Sequence, residues 1–396
     1  MIQLRSALLL LVFALLAPSP AAAERRNDGL DDLQMEALRD ALRASDELAQ
    51  AWFRLRAGDA AGARDDARVL ARSNRKDADA WHLFGIAAAA DGRPMESEQA
   101  LRRSLRLRPD GWVAMHLVTN LVDRGRLLGA ERILKRFDGA LGTDLHFARA
   151  RAWVLVARGE LAEARTLLQA LEERTGDATL AWQLSALLVE EGDARGALAA
   201  IRRAVAAAPE HPVYRRELFE RLAAAGDWSG LVEVTSERGA DAVGGGLAPY
   251  YKGMGLLRLG RTDEAVEAFS AVAEHGRAEP IPLAGATGYL LQLGAYAQAE
   301  RTARVALDGQ SEDAPLHHLL AMSLTRLERE GEALAHYRRA SELSAGNADY
   351  RFDLLVSLCS LGRAGELDAA LTRARRDFPE DARFEALAGR CGAAES

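Results

Sequence analysis

From Ala78 to Asp110 the apolar positions recur three or four residues apart, at Trp81, Phe84, Gly85 and Ala88. That spacing puts them on one stripe of an α-helix, with polar residues on the remaining surface. Gly92 interrupts the stripe where a left-handed cap position favours a residue without Cβ. A second stripe follows at Ala100, Leu101, Ser104 and Leu105, and Pro109 ends it because proline cannot donate the next backbone bond. The segment therefore predicts two short antiparallel helices.

The same arrangement recurs along the chain. Glycine falls at Gly58, Gly92, Gly125, Gly159, Gly192, Gly226, Gly260, Gly294 and Gly362, a step of 33 or 34 residues, with Glu328 at the one mark that lacks it. A fixed period in this range signals stacked supersecondary units that bury a core only by packing on one another. Units begin near Ala44, Ala78, Gly111, Leu145, Ala178, Pro212, Gly246, Pro280, Ala314 and Ala348. Ala382 to Cys391 supplies a closing helix for the last apolar face, and the amphipathic stretch Leu30 to Arg43 suits the other end. One unit departs from the rule: Leu231 to Arg238 dissolves into Gly239 to Gly246, with three consecutive glycines at Gly244, Gly245 and Gly246. A longer turn and a hinge between two half-arrays both fit that composition.

Three segments carry a resemblance to a known family. They are Ala178 to Pro209 (Leu184, Leu188, Gly192, Ala197, Ile201, Ala204), the stretch Gly253, Leu256, Gly260, Ala265, Phe269 and Val272, and the stretch Leu354, Leu358, Gly362, Leu371, Ala374 and Pro379. These resemble the tetratricopeptide repeat, and weaker copies surround Gly58, Gly125 and Gly159. The resemblance covers roughly residues 44 to 381 and implies an all-α, right-handed solenoid of about ten helix-turn-helix repeats with a C-terminal capping helix. Residues 44–243 would hold the first six repeats, 244–381 the last four, and 382–396 the closing helix and tail.

In that family the first helices of successive repeats line a groove through a fixed set of positions. Carried onto this sequence, those positions are Trp52, Trp112, Met115, Trp153, Trp182, Tyr250, Met254, Met322 and Phe352, with Arg149, Arg216, Arg258 and Arg326 among them. Exposed aromatics and methionines there would anchor apolar side chains of a bound peptide or helix. The arginines would pair with its carboxylates. Rings packed between the protein's own repeats would give the same list. Trp81 falls on the family's buried position instead.

Composition narrows the classes. Hydrophobic residues make up 49% of the 396, enough for a continuous core, so disorder is excluded as a general description. Net charge is −7 with both signs interspersed, which argues against a nucleic-acid binder needing a concentrated basic face. The first residues read as an address. Arg5 precedes the apolar run Ala7 to Ala17, Pro18 and Pro20 break it, and Ala21-Ala22-Ala23 offers a cleavage site, so residues 1–23 are expected to be a secretory signal peptide. The apolar run is short for a bilayer span, so no stable membrane span is expected after cleavage. Residues 24–43 would form the N-terminal cap. The absence of an N-x-S/T sequon favours a bacterial periplasm. An oxidising compartment permits a bridge between Cys359 and Cys391, the two cysteines, though two unpaired buried thiols fit as well.

Catalytic signatures are missing: no HExxH, CxxC, GxSxG or GxxxxGK occurs. Eight histidines are scattered, and adjacent His317 and His318 point about 100° apart on a helix, which is poor for chelation. No enzyme activity, cofactor or metal is therefore expected. The expected function is a periplasmic scaffold that grips a peptide or helix of an envelope protein during assembly or export of an envelope component. A self-assembling structural protein is the alternative, and an enzyme without a recognisable motif a more remote one.

Overall fold

The computed structural model describes residues 46–275, 280–309 and 311–392. The expected signal peptide and N-terminal cap lie outside the described residues. Among those residues there are twenty-one α-helices, two short 3₁₀ turns and no strand. No helix among them is long and apolar enough to cross a membrane.

The chain forms two compact units that divide between Arg221 and Leu222. In the first, helices alternate as first and second members of a pair: α1 (Asp46–Arg56) with α2 (Ala60–Ser73), α3 (Ala78–Ala90) with α4 (Pro94–Leu107), and α5 (Gly111–Asp123) with α6 (Leu127–Leu141). Then come α7 (Leu145–Arg158) with α8 (Leu161–Thr175), and α9 (Ala178–Glu190) with α10 (Ala194–Ala207). The division itself falls inside α11 (Pro212–Ala225) and not at the glycine run. The second unit continues with α12 (Trp228–Thr235), α13 (Leu247–Arg258), α14 (Thr262–Ala271), α15 (Pro280–Gln292) and α16 (Tyr296–Gly309). It ends with α17 (Ala314–Arg326), α18 (Glu330–Leu343), α19 (Ala348–Ser360), α20 (Ala364–Asp377) and α21 (Ala382–Gly392).

Local chemistry sets each start. The residue before the first helix of a pair is repeatedly acidic or amidic: Asp77, Asp110, Asp144, Asp177, Asp313 and Asn347. Each side chain accepts a backbone N–H of the first turn, as Asp144 does from Phe147 at 2.9 Å, which satisfies a donor the helix cannot. The ends follow the ruler. Every glycine of the 33–34-residue series has positive φ, and so does Glu328, at +59° the one non-glycine residue among those described to do so. Gly244, Gly245 and Gly246 have φ of +72°, +58° and +73°. A side chain would strain each of them, so the run encodes a turn geometry.

Pairing depends on close approach. A Cβ on Gly85 would lie 2.6 Å from Leu101 Cγ, and one on Gly253 would lie 2.7 Å from the Phe269 ring. In the first unit α3, α5 and α7, all first helices, also pack side by side. Its core is one continuous cluster running from Leu48 to Ala200. Ion pairs join several second helices to the following repeat: Glu98 with Arg124 at 2.7 Å, Glu131 with Arg158 at 3.0 Å and Arg165 with Glu191 at 2.7 Å. In the second unit Glu300 meets Arg329 at 2.8 Å. Partly solvated pairs of this kind add little stability singly. The last repeat is covered by α21, whose Phe384 and Leu387 are buried, and a Cys359–Cys391 disulfide ties that helix to α19. Helix pairs of this period, turn and packing make an all-α array of repeated helix-turn-helix units.

Candidate partner-binding faces

The candidate residues sit on first helices, but the structure divides them. Trp52, Met115, Arg149, Trp153 and Trp182 are buried, with 8%, 3%, 2%, 3% and 6% of their surface exposed. As open anchors they are corrected: they are sealed in the packing of the first unit. The reason is geometric. Each of these side chains is enclosed by helices of its own and neighbouring repeats, so a large group one position off the buried stripe is covered before it reaches solvent. Trp52, Met115 and Trp153 belong to the continuous core, and Trp182 lies 5.9 Å from Tyr214. Trp81, expected inside, is only half-buried; it packs against the core and donates its indole N–H to the Arg75 carbonyl at 3.3 Å.

Trp112 keeps a partly exposed edge in the first unit. It stands between two histidines, stacked on His146 at 4.1 Å and on His116 at 5.5 Å. His116 Nδ1 in turn lies 2.9 Å from His82 Nε2. Burial depresses the basicity of all three imidazoles, and that of His146 falls to about 4. The sequence does not mark this ladder by proximity, because His82, His116 and His146 are far apart in the chain. The signal was present in their spacing: His82 and His116 are 34 residues apart, one repeat, which brings equivalent positions together. Arg216 is partly exposed on α11.

In the second unit Tyr250, Met254, Met322 and Phe352 are each partly exposed. Tyr250 leans on Gly285, where a Cβ would come within 2.7 Å of its ring, and neighbours Phe269 at 6.2 Å and Tyr289 at 6.4 Å. Met254 and Met322 rest against the hydrophobic clusters below them. Phe352 is largely claimed by the closing helix, with Phe384 6.1 Å away and the Arg383 guanidinium over its ring at 5.1 Å. Arg258 and Arg326 are exposed, Arg258 lying over the Trp228 ring at 5.4 Å. Two further histidine contacts were not foreseen. His317 Nδ1 lies 3.0 Å from His336 Nδ1, and His318 Nε2 lies 2.6 Å from an Asp353 carboxylate oxygen.

No group of three or more histidine, cysteine, aspartate or glutamate side chains among the described residues could hold a metal ion. A depression of the first unit between α6 and α7 is open and shallow, and its Asp138 and Glu131 pair with Arg151 and Arg158. These faces offer apolar contact and isolated charges, and no convergent acid, base and nucleophile.

No protein-family profile matches this chain, and neither does any curated protein. Solved structures similar to it include a human IFIT1 dimer with m7Gppp-AAAA, at 16% identity over 76% of this chain and 72% of that one, with a TM-score of 0.43. YrrB, described as a TPR protein with an unusual peptide-binding site, is 16% identical over 55% of this chain and 95% of its own, at 0.36. MamA from Desulfovibrio magneticus RS-1 is 15% identical over 52% and 96%, at 0.34. At such scores none of them bears on what this chain binds.

Proposed function

We propose that the protein is a non-catalytic scaffold, exported to the periplasm, that holds a peptide or helix of a cell-envelope protein against its first helices during assembly or export of an envelope component. The observation that carries the binding part is the set Trp112, Tyr250, Met254 and Met322: large, deformable or aromatic side chains, partly exposed, on first helices of both units. Partly exposed groups of this kind contribute most to peptide capture, methionine because its thioether adapts its shape and tryptophan because of its area. The reading of residues 1–23 as a signal peptide supports export, and the Cys359–Cys391 bridge suits an oxidising compartment.

Photo-crosslinking residues placed at Met254 and Met322 test the reading in intact cells, with Val69, a highly exposed second-helix residue, as the control position. A defined protein crosslinked from the first-helix positions and absent from Val69 is expected. Equal labelling from all three, or none from Met254 and Met322, would count against the scaffold.

Self-association is a second reading with an observation of its own. Met95 and Leu128 are 57% and 69% exposed and occupy the same first-turn place in consecutive second helices, α4 and α6. Exposed apolar side chains recurring at equivalent positions favour contact with another surface. Light scattering over a concentration series separates a monomer from such an assembly.

A further inference from the structure

The two cysteines of the chain, Cys359 and Cys391, form one disulfide, which ties α19 to the closing helix α21. Both residues are partly exposed, so small thiols and disulfides in solution reach the bridge. A connector of four residues, Phe378 to Asp381, leads from α20 into α21. The chain reverses there through a turn in which the Asp381 N–H donates to the Phe378 carbonyl at 3.2 Å.

The seat of α21 combines apolar and charged contacts. Its Phe384 and Leu387 are buried in the apolar cluster that also holds Leu354, Leu358 and Leu371. Arg383 pairs with Asp349 of α19 at 2.8 Å and lies over the Phe352 ring at 5.1 Å. Glu385 pairs with Arg375 of α20 at 2.7 Å. An isolated helix of 11 residues is marginal in water, so α21 owes its order to this seat. These recognition groups stand on α19 and α20, and the fit is indifferent to which chain supplies the helix.

We propose that the α19–α20 seat is also the docking site for α21 of a second copy of this chain, exchanged reciprocally, with a Cys359–Cys391 bridge then joining two chains. Such exchange is independent of peptide capture and of the exposed Met95 and Leu128. The occupant follows from the structure itself: the segment that fits this seat is observed in it, apolar side chains in the apolar cluster and each charge beside its opposite. The same contacts form in the exchanged pair, and only the connector changes its course, which is the basis of domain swapping. The chain's own tether gives its α21 an effective concentration of about 1 mM, so exchange competes as the chain concentration approaches that level.

Closure of the bridge fixes the outcome. One cysteine thiolate attacks a small disulfide such as oxidised glutathione, which releases one glutathione thiolate and leaves a mixed disulfide. The second cysteine thiolate then displaces the remaining glutathione and forms the Sγ–Sγ bond. Two electrons pass from the cysteines to the small disulfide, which leaves as two thiols carrying the two protons. A seat that closes on its own α21 gives a monomer, and one that closes on the helix of its partner gives a covalent dimer. Reduction by a small dithiol reopens the choice.

Equal amounts of ¹⁴N- and ¹⁵N-labelled full chain are reduced, mixed at concentrations from about 10 µM to about 1 mM, and reoxidised with oxidised glutathione. Mass spectrometry of the proteolytic fragments then reads the bridge. Cys359–Cys391 fragments of mixed isotope are expected, their share rising about tenfold for each tenfold step in concentration while it is small. A mixture of Cys359→Ser and Cys391→Ser chains, neither able to bridge itself, should give a heterodimer. Phe384→Ser in the chain that keeps Cys391 should cut its yield at least about tenfold, since the helix loses its largest buried side chain. Absence of mixed-isotope bridges at every concentration would overturn the exchange. So would Cys359–Cys359 and Cys391–Cys391 links as abundant as the expected one, or a heterodimer yield indifferent to Phe384→Ser, since either marks random collision of thiols.

Discussion

His82 Nε2 and His116 Nδ1 lie 2.9 Å apart although a whole repeat separates them in the chain. The contact needs at least one ring neutral, and burial works in the same direction for both. Asp110 and Asp79 favour the charged form of His82 and Arg108 opposes it, while His116 faces His82 and His146. His146 gives the window. Its folded value, about 4, lies below the ordinary 6.5, so the unfolded chain takes up the proton first as pH falls. Its contribution is complete above pH 6.5 and is lost between 6.5 and 4. The loss is at most about 3 kcal/mol, reduced by solvent at the ring's exposed edge. Urea unfolding at a series of pH values should show stability falling over that window, with a shallower slope in His146→Phe. Identical slopes would show that the imidazole is not what titrates.

Gly253→Ala tests close packing of a helix pair. Alanine favours a helix over glycine by about 1 kcal/mol, but its methyl would meet the Phe269 ring at 2.7 Å. Phe269 is fully buried and stacked on Tyr289 at 4.8 Å, so it cannot swing aside. A net loss of about 1–3 kcal/mol is expected from overpacking. An unchanged denaturation midpoint would mean the helices separate at little cost.

Glu328→Gly should be stabilising by about 0.5–1 kcal/mol, because it relieves a left-handed backbone at φ +59° that the other turns assign to glycine. The unfolded chain's greater freedom with glycine offsets part of the relief. Chemical denaturation decides the sign; a less stable variant would refute the strain argument.

Reducing the Cys359–Cys391 bridge, which closes a separation of 32 residues, should cost the C-terminal end of the array about 2–4 kcal/mol. Hydrogen exchange should show the loss first in α21, which packs chiefly against α19 and α20. Exchange that is equal with and without reductant would show that Phe384 and Leu387 suffice to hold the closing helix.

Much of the fold was legible because its code is local. Each helix stop needs one residue with positive φ, so the glycine series marks the turns directly, and the starts foreseen at Ala78, Gly111, Leu145, Ala178, Pro212, Pro280, Ala314 and Ala348 coincide with observed helix starts. The closing helix was legible for the same reason, as an apolar stripe in Ala382 to Cys391 after the last proline stop.

The amino-acid order alone determined the period, the helix pairs and the turn residues, since each rests on bonds and torsions within a few residues. Tertiary structure alone decided which side chains face solvent. Trp112 and Trp153 both come from the inner positions of their repeats, yet one keeps an open edge and the other is sealed. That difference depends on how the surrounding helices close over each ring, a relation between distant segments that a one-dimensional pattern does not contain. The same holds for Arg149, whose charge is plain in the sequence and whose isolation exists only once the helices around it have closed.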